Sequence, residues 1–91
     1  MSNQTYKDSL PPIAPDDAVE AAVLTSLLVE HPTLLTPLDL YRERRDPDDP
    51  GERDAVDRAV QCLVSAGLVH RNGTFVVPSR AAIKFEELSS L

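Results

Sequence analysis

Residues 50–69 read PGERDAVDRAVQCLVSAGLV, and this stretch predicts one helix that leads directly into a strand. Asp49 precedes it as an N-cap, and Pro50 suits the first helical position because no amide donor is needed there. Glu52 follows the cap at the spacing of a capping box. Gly67 can adopt the left-handed conformation that closes a helix. We therefore predict a helix that begins at Pro50 and stops at Gly67.

The apolar residues of this helix recur at intervals of three and four, which places them on one face for a core. They are Ala55, Val56, Ala59, Val60, Leu63 and Val64. Cys62, the only cysteine, lies beside that face. We expect it to be a small buried hydrophobic side chain rather than a reactive thiol.

Two short β-prone runs follow the helix, at residues 68–71 and 74–77. Asn72-Gly73 stands between them, and this pair strongly indicates a hairpin because both central residues of the favoured turn need positive φ. Pro78 ends the second run, and Ser79 can cap a last helix at residues 80–88. Along one side of that helix lie Ala82, Phe85, Glu86 and Leu88.

Two more helices are predicted before residues 50–69. The first covers residues 16–29 and ends before His31-Pro32, because a residue that precedes proline is disfavoured in the helical region. Its core stripe is Val19, Ala22, Val23 and Leu27, with Leu24 and Leu28 as further candidates. Residues 33–35 read as a brief strand or a buried linker. Thr36 caps a second helix at residues 37–44, which turns Leu38, Leu40 and Tyr41 inward.

The composition fits one small domain: 91 residues, 42% hydrophobic, with only 4% aromatic residues. We interpret residues 1–14 as a flexible tail, which is either without a role or a docking arm, and residues 15–91 as the folded domain. No apolar run approaches the roughly 20 residues that span a bilayer. One cysteine permits no internal disulfide. We therefore expect a cytoplasmic protein without a membrane partner.

The order of elements resembles the winged helix-turn-helix family across residues 16–91. The likeness is carried by Thr36-Pro37-Leu38-Asp39-Leu40, by residues 59–69 (AVQCLVSAGLV) and by Asn72-Gly73 at the tip of the hairpin. The resemblance implies a mainly α fold with a small β-hairpin: a three-helix core, a two-strand wing and a C-terminal helix. It also implies that the third helix enters the major groove of DNA and that the wing touches the backbone or the minor groove.

These roles select the candidate DNA-binding residues. Arg53, Arg58 and Gln61 would contact bases and nearby phosphates, and Arg44, Arg45, Arg71 and Asn72 would contact the backbone. The arginines at 42, 44 and 45 could join Arg71, Asn72, Arg80 and Lys84 in one patch. The alternative is an ordinary solvated surface, because positive charge also complements the end of the second helix.

The charges of the third helix leave open whether this helix contacts DNA or is an ordinary solvated surface. Asp54 and Arg58, and likewise Arg53 and Asp57, are spaced for ion pairs within the helix. The stretch 49–67 holds two arginines against four acidic residues, and the formal net charge of the whole chain is −6. A helix that repels phosphate is a poor reader of DNA, because phosphate attraction supplies most non-specific affinity. Three aspartates in the turn 45–49 add to that objection.

The sequence gives no sign of catalysis or of a cofactor. His31 and His70 are far apart and no second cysteine joins them, so we predict no metal site. Asp46, Asp48 and Asp49 lack the glycine and the later glutamate of a calcium loop. With no nucleophile set and no phosphate-cradling loop, we expect a protein that is not an enzyme.

Two functions remain from the sequence. The first is double-stranded DNA binding by a small prokaryotic transcriptional regulator. The second is a protein-interaction module within a larger assembly, which the acidic third helix and the acidic turn favour. A homodimer is a further option if Leu24 and Leu88 remain outside the core; otherwise they complete it.

Overall fold

The computed structural model describes residues 15–91, which form four helices and one antiparallel pair of strands. In chain order these are α1 (Pro15–Glu30), α2 (Pro37–Arg42), α3 (Pro50–Ser65), β1 (Val69–Asn72), β2 (Phe75–Pro78) and α4 (Arg80–Ser89). The predicted fold class is confirmed: the chain is mainly helical, with a two-strand hairpin and a C-terminal helix. The tail predicted for residues 1–14 lies outside the described residues.

Helix α3 lies at the centre of the fold and packs against α1, α2 and β1. Its buried residues are Val56, Ala59, Val60 and Leu63, as predicted. Ala55 is half-buried against them, whereas Val64, at the margin of the stripe, is exposed. The apolar face is thus narrower than its spacing predicted, because the neighbouring elements cover only its middle.

The two ends of α3 follow the predicted capping chemistry in part. The Asp49 side chain accepts a hydrogen bond from the Glu52 amide at 3.3 Å, and Gly67 has a φ of 80° just after the helix. The second hydrogen bond of a capping box, from the Asp49 amide to the Glu52 side chain, is not formed. The Glu52 carboxylate accepts from the backbone amide of Asp46 at 3.3 Å, so it fastens the preceding turn to the helix.

Helix α1 buries Val19, Val23 and Leu27, four residues apart. The prediction that Ala22 belongs to this stripe is wrong, because Ala22 is exposed. It lies at the rim of a cavity of about 160 Å³ between α1 and the end of α2, where no side chain covers it. The sequence left open whether Leu24 stays outside the core for a homodimer or completes the core. Leu24 is partly buried against the core, so it does not supply exposed apolar surface for a homodimer.

Helix α2 begins at a complete capping box. The Thr36 hydroxyl accepts from the Asp39 amide at 3.3 Å, and the Asp39 carboxylate accepts from the Thr36 amide at 2.9 Å. The helix ends at Arg42, two residues earlier than predicted, and buries Leu40. Leu38 is 47% exposed, so its predicted inward position is wrong. A six-residue helix completes fewer than two turns, which leaves room for one fully buried position.

The hairpin forms as predicted, but its turn lies one residue later. Asn72 pairs with Phe75 as the last pair of the sheet, so the central turn residues are Gly73 and Thr74. Gly73 has a φ of 62°, and no residue other than glycine has positive φ among residues 15–91. A positive φ at the first central residue alone is the requirement of a type II′ turn, which needs glycine only there.

Residues 33–35 contribute a single β-bridge. The Val76 amide donates to the Leu35 carbonyl at 2.8 Å, and Leu35 is buried. Strand β2 therefore lies between Leu35 and β1, and β1 forms the outer edge of the sheet. The segment is therefore a linker with one strand-like contact, and only Leu35 of it is buried, because Leu34 is 47% exposed.

Helix α4 begins where it was predicted, with the Ser79 hydroxyl accepting from the Ala82 amide at 3.2 Å. Ala82 is buried, whereas Phe85 is 71% exposed and Leu88 is 55% exposed. Only the first part of the helix therefore joins the core.

The predicted burial of Cys62 is wrong, because its side chain is exposed. It lies at the edge of the α3 stripe, beside α1. Partial desolvation there raises the pKa of the thiol, and the neighbouring Glu20 carboxylate raises it further. The thiol is therefore held in its protonated, less nucleophilic form.

Candidate nucleic-acid interface

The segment that joins α2 to α3 folds back onto the first turns of α3. Arg53 makes most of these contacts: its Nε donates to the Pro47 carbonyl at 2.7 Å, and its guanidinium lies 3.4 Å from Asp48 Oδ1. The same guanidinium sits over the Tyr41 ring, 5.3 Å from the centroid. Arg53 thus joins the turn to both helices, and its Nε and Nη2 already have partners.

Tyr41 completes this cluster from α2. Its hydroxyl donates to Asp57 Oδ1 at 2.6 Å. That hydrogen bond to a carboxylate, with partial burial, raises the pKa of Tyr41, so the phenol stays protonated. The predicted ion pair between Arg53 and Asp57 is replaced by these contacts, because Asp57 bonds to Tyr41 instead.

The arginines near the end of α2 are also close to acids. Arg42 lies 3.8 Å from Asp39, and Arg44 Nε lies 3.7 Å from Glu52 Oε2. The Arg44 Nε is buried without a hydrogen bond, since 3.7 Å is beyond that range. Arg45 is exposed and has no ion pair within residues 15–91.

The outward face of α3 carries little free positive charge. Arg58 lies 3.5 Å from Asp16 of α1, so its expected pair with Asp54 is not formed. Gln61 is exposed on the same face, with Asp54 and Asp57 on the preceding turns. A phosphate that approached this face would meet two carboxylates and one arginine that is already engaged. The face is therefore poorly suited to attract a polyanion.

The hairpin differs from the outward face of α3, because it carries positive charge and no acidic residue. His70, Arg71 and Asn72 follow one another on β1, and all three are exposed. From Arg58 to Phe85 the sequence has no aspartate or glutamate, and it has three arginines and one lysine. Arg71, Arg80 and Lys84 make no ion pair with another residue of the described range. Strand β1 also has a free edge, so its backbone amides can donate to an anion.

The predicted site residues thus fall into two groups. Those of the helical segments are Arg44, Arg53 and Arg58, which lie beside carboxylates, Gln61 on the acidic face of α3, and Arg45, which is exposed without an ion pair within residues 15–91. Arg71 and Asn72 project from the outer strand of the hairpin. Sequence reasoning left open whether Arg71 and Asn72 share a patch with the arginines near the end of α2, and it missed the acid-free stretch around them. A scan of charge along the chain would have revealed it.

The described residues bring together no group of three or more histidine, cysteine, aspartate or glutamate side chains suited to a metal ion. None of the helices within residues 15–91 is long and apolar enough to cross a membrane. The chain matches no protein-family model, no curated protein and no solved structure.

Proposed function

We propose that this chain is a winged-helix protein that binds double-stranded DNA and acts as a small prokaryotic transcriptional regulator. The observation that carries the proposal is the basic hairpin: Arg71 and Asn72 are exposed on an edge strand, within 28 residues that contain no acid. In a chain with a formal charge of −6, a segregated positive element is the part that a polyanion would contact first.

The arrangement of elements supports the family part of the proposal. A short helix, a turn and a longer helix are followed by a hairpin, and the longer helix packs at the centre of the core. This order is compatible with a winged helix. It would present the hairpin as a wing beside the exposed side of α3.

The positions of the charges support different roles from those expected on sequence alone. We propose that the wing supplies the phosphate contacts through Arg71, with Asn72 as a hydrogen-bond partner of the backbone. Arg53 and Arg44 hold the turn and α2 in place. Gln61 remains the candidate for a base contact from α3, since an amide can pair with adenine in the major groove.

Titration of the protein into a labelled random duplex at low salt tests the proposal. We expect roughly micromolar affinity that falls steeply as salt is added, because counterion release dominates non-specific binding. Arg71→Ala should weaken binding and reduce the salt slope by about one, as expected for one lost phosphate contact.

Arg42→Ala is the matched control, because Arg42 is equally charged and exposed but lies beside Asp39. It should leave the affinity within about twofold. No binding at about 50 mM salt would refute the proposal, since the electrostatic attraction is strongest there. Equal losses for both variants would remove the special role of the wing.

The acidic face of α3 favours a second candidate, a protein-interaction module. Asp54 and Asp57 stand on that face, and Asp46, Asp48 and Asp49 lie in the adjoining turn, where they could complement a basic partner protein. Absence of duplex binding, together with salt-sensitive binding of a basic partner that Asp54→Asn weakens, would favour this function. Neither candidate requires catalysis.

A further inference from the structure

The first half of α4 carries two exposed cations, Arg80 and Lys84, which form no ion pair with another residue of 15–91. Each is two residues from Ala82, which is buried, and two residues correspond to about 200° of rotation in a helix. Arg80 and Lys84 therefore lie on the side of α4 that is turned away from the core. About one helical turn separates them, which is about 6 Å along the axis.

The chain holds these two cations close to the basic strand of the hairpin. Arg71 pairs with Val76 across the hairpin, and Val76 is four residues before Arg80. Four residues span at most about 14 Å, and paired strands lie about 5 Å apart, so the Cα atoms of Arg71 and Arg80 are at most about 20 Å apart. With Lys84 included, the three cations lie within about 25 Å, which is less than one turn of a DNA duplex.

No carboxylate lies between these cations along the chain. The acid-free stretch from Arg58 to Phe85 contains all three, and the first acid after it is Glu86. Glu86 is four residues after Ala82, so it lies on the same side of α4 as that buried residue. Glu87 lies on the outer side, one turn beyond the two cations, and ends the positive segment there. A polyanion that reaches the hairpin therefore finds further positive charge on α4.

We propose that the first half of α4 is a second contact with the DNA backbone, and that one duplex extends from the hairpin to Arg80 and Lys84. This inference rests on the proposed function, because it adds contact residues for the same duplex. The spacing of Arg80 and Lys84 is comparable to that of neighbouring phosphates along one strand, so each can neutralise one phosphate. Together with Arg71 they supply three phosphate contacts, none of which requires the acidic face of α3.

The salt dependence of binding to a labelled random duplex counts these contacts. For a one-to-one complex, we expect the logarithm of the association constant to fall with the logarithm of the salt concentration with a slope of about −3. Arg80→Ala and Lys84→Ala should each reduce this slope by about one and weaken binding about tenfold at about 50 mM salt. A merely structural role of either residue would not change the slope.

Arg42→Ala is again the matched control, since it removes an exposed cation outside the acid-free stretch. It should leave the slope unchanged and the affinity within about twofold. Circular dichroism checks that each variant retains its helices. An equal loss for Arg42→Ala would show that net charge alone is responsible, and it would overturn the role of α4.

The same titrations separate this inference from the proposed function. If Arg71→Ala weakens binding while Arg80→Ala and Lys84→Ala leave the slope unchanged, the hairpin binds DNA without α4, and the inference alone is overturned. If the original protein does not bind the duplex at about 50 mM salt, the proposed function is refuted and the inference with it.

Discussion

At the scale of single residues, one carboxylate illustrates how capping fixes local structure. Asp39 accepts from the Thr36 amide at 2.9 Å and from the Thr36 hydroxyl at 3.1 Å. The backbone hydrogen bond is the main reason why the pKa of Asp39 lies below its ordinary value, and Arg42 lowers it further. The charged form of Asp39 is therefore favoured by folding.

The sign of this shift predicts a dependence of stability on acid. The contribution of Asp39 is fully present above the pKa of an unfolded aspartate, about 3.9, and is lost as the pH falls through the lower pKa of the folded state. We expect the difference in urea midpoint between the original protein and Asp39→Asn to shrink below about pH 4. A difference that stays constant down to about pH 2 would contradict this account.

At the scale of elements, α2 is held by very few side chains. It has six residues, and Leu40 is the one that is fully buried, at 2% exposure. Tyr41 adds a hydrogen bond to Asp57 across the gap to α3. A helix this short has little intrinsic stability, because nucleation is costly and short isolated helices are marginal in water. Its position therefore depends on these tertiary contacts.

Two leucines of α2 give a matched comparison. We expect Leu40→Ala to lower the free energy of unfolding by about 2–5 kcal/mol, through lost burial and the cavity that remains. Leu38→Ala, at a position that is 47% exposed, should lower it by less than about 1 kcal/mol. Urea denaturation of both variants provides the measurement, and equal losses would show that α2 packs in a different orientation.

At the scale of the whole molecule, one apolar cluster joins five of the six elements. It includes Val23 of α1, Leu40 of α2, Val60 of α3, Val69 of β1 and Val76 of β2. Helix α4 adds only Ala82 to the buried residues. A single shared core predicts cooperative unfolding, because loss of any of these elements uncovers the others.

Two probes can test this cooperativity. Far-ultraviolet circular dichroism reports the helices, and Tyr41 emission in a Tyr6→Phe variant reports the junction of α2 with α3. We expect both signals to change with the same urea midpoint and the same slope, at one fixed protein concentration. An earlier transition of the Tyr41 signal would show that α2 detaches before the rest of the fold.

Charge is also organised at the scale of the molecule. The acidic residues of the described range lie between Asp16 and Asp57 and at Glu86 and Glu87, while the hairpin and the start of α4 are basic. Most arginines between α1 and the end of α3 form ion pairs with acids from other elements. Arg58 pairs with Asp16 of α1, and Arg53 pairs with Asp48 of the turn before α3. Because of this division, the positive charge that lies far from acids in the sequence is on the hairpin and the first half of α4.

The sequence by itself determined the order and type of the elements. Asp49, Thr36 and Ser79 cap helices because a side-chain oxygen two or three residues before a free amide needs no distant partner. Gly67 and Gly73 mark the helix end and the hairpin because positive φ is a property of the residue itself. These are local interactions, so local sequence contains them.

Only the tertiary structure decided which apolar side chains at the edges of the helix stripes are buried, and which charged side chains form ion pairs. Val64, Leu38 and Ala22 have the right spacing, yet burial requires a neighbour that the helix does not specify. Likewise Arg58 could pair with Asp54 by spacing, but the approach of α1 brings Asp16 to it. Contacts of this kind join residues that are distant in the chain, and their distances exist only once the elements have packed together.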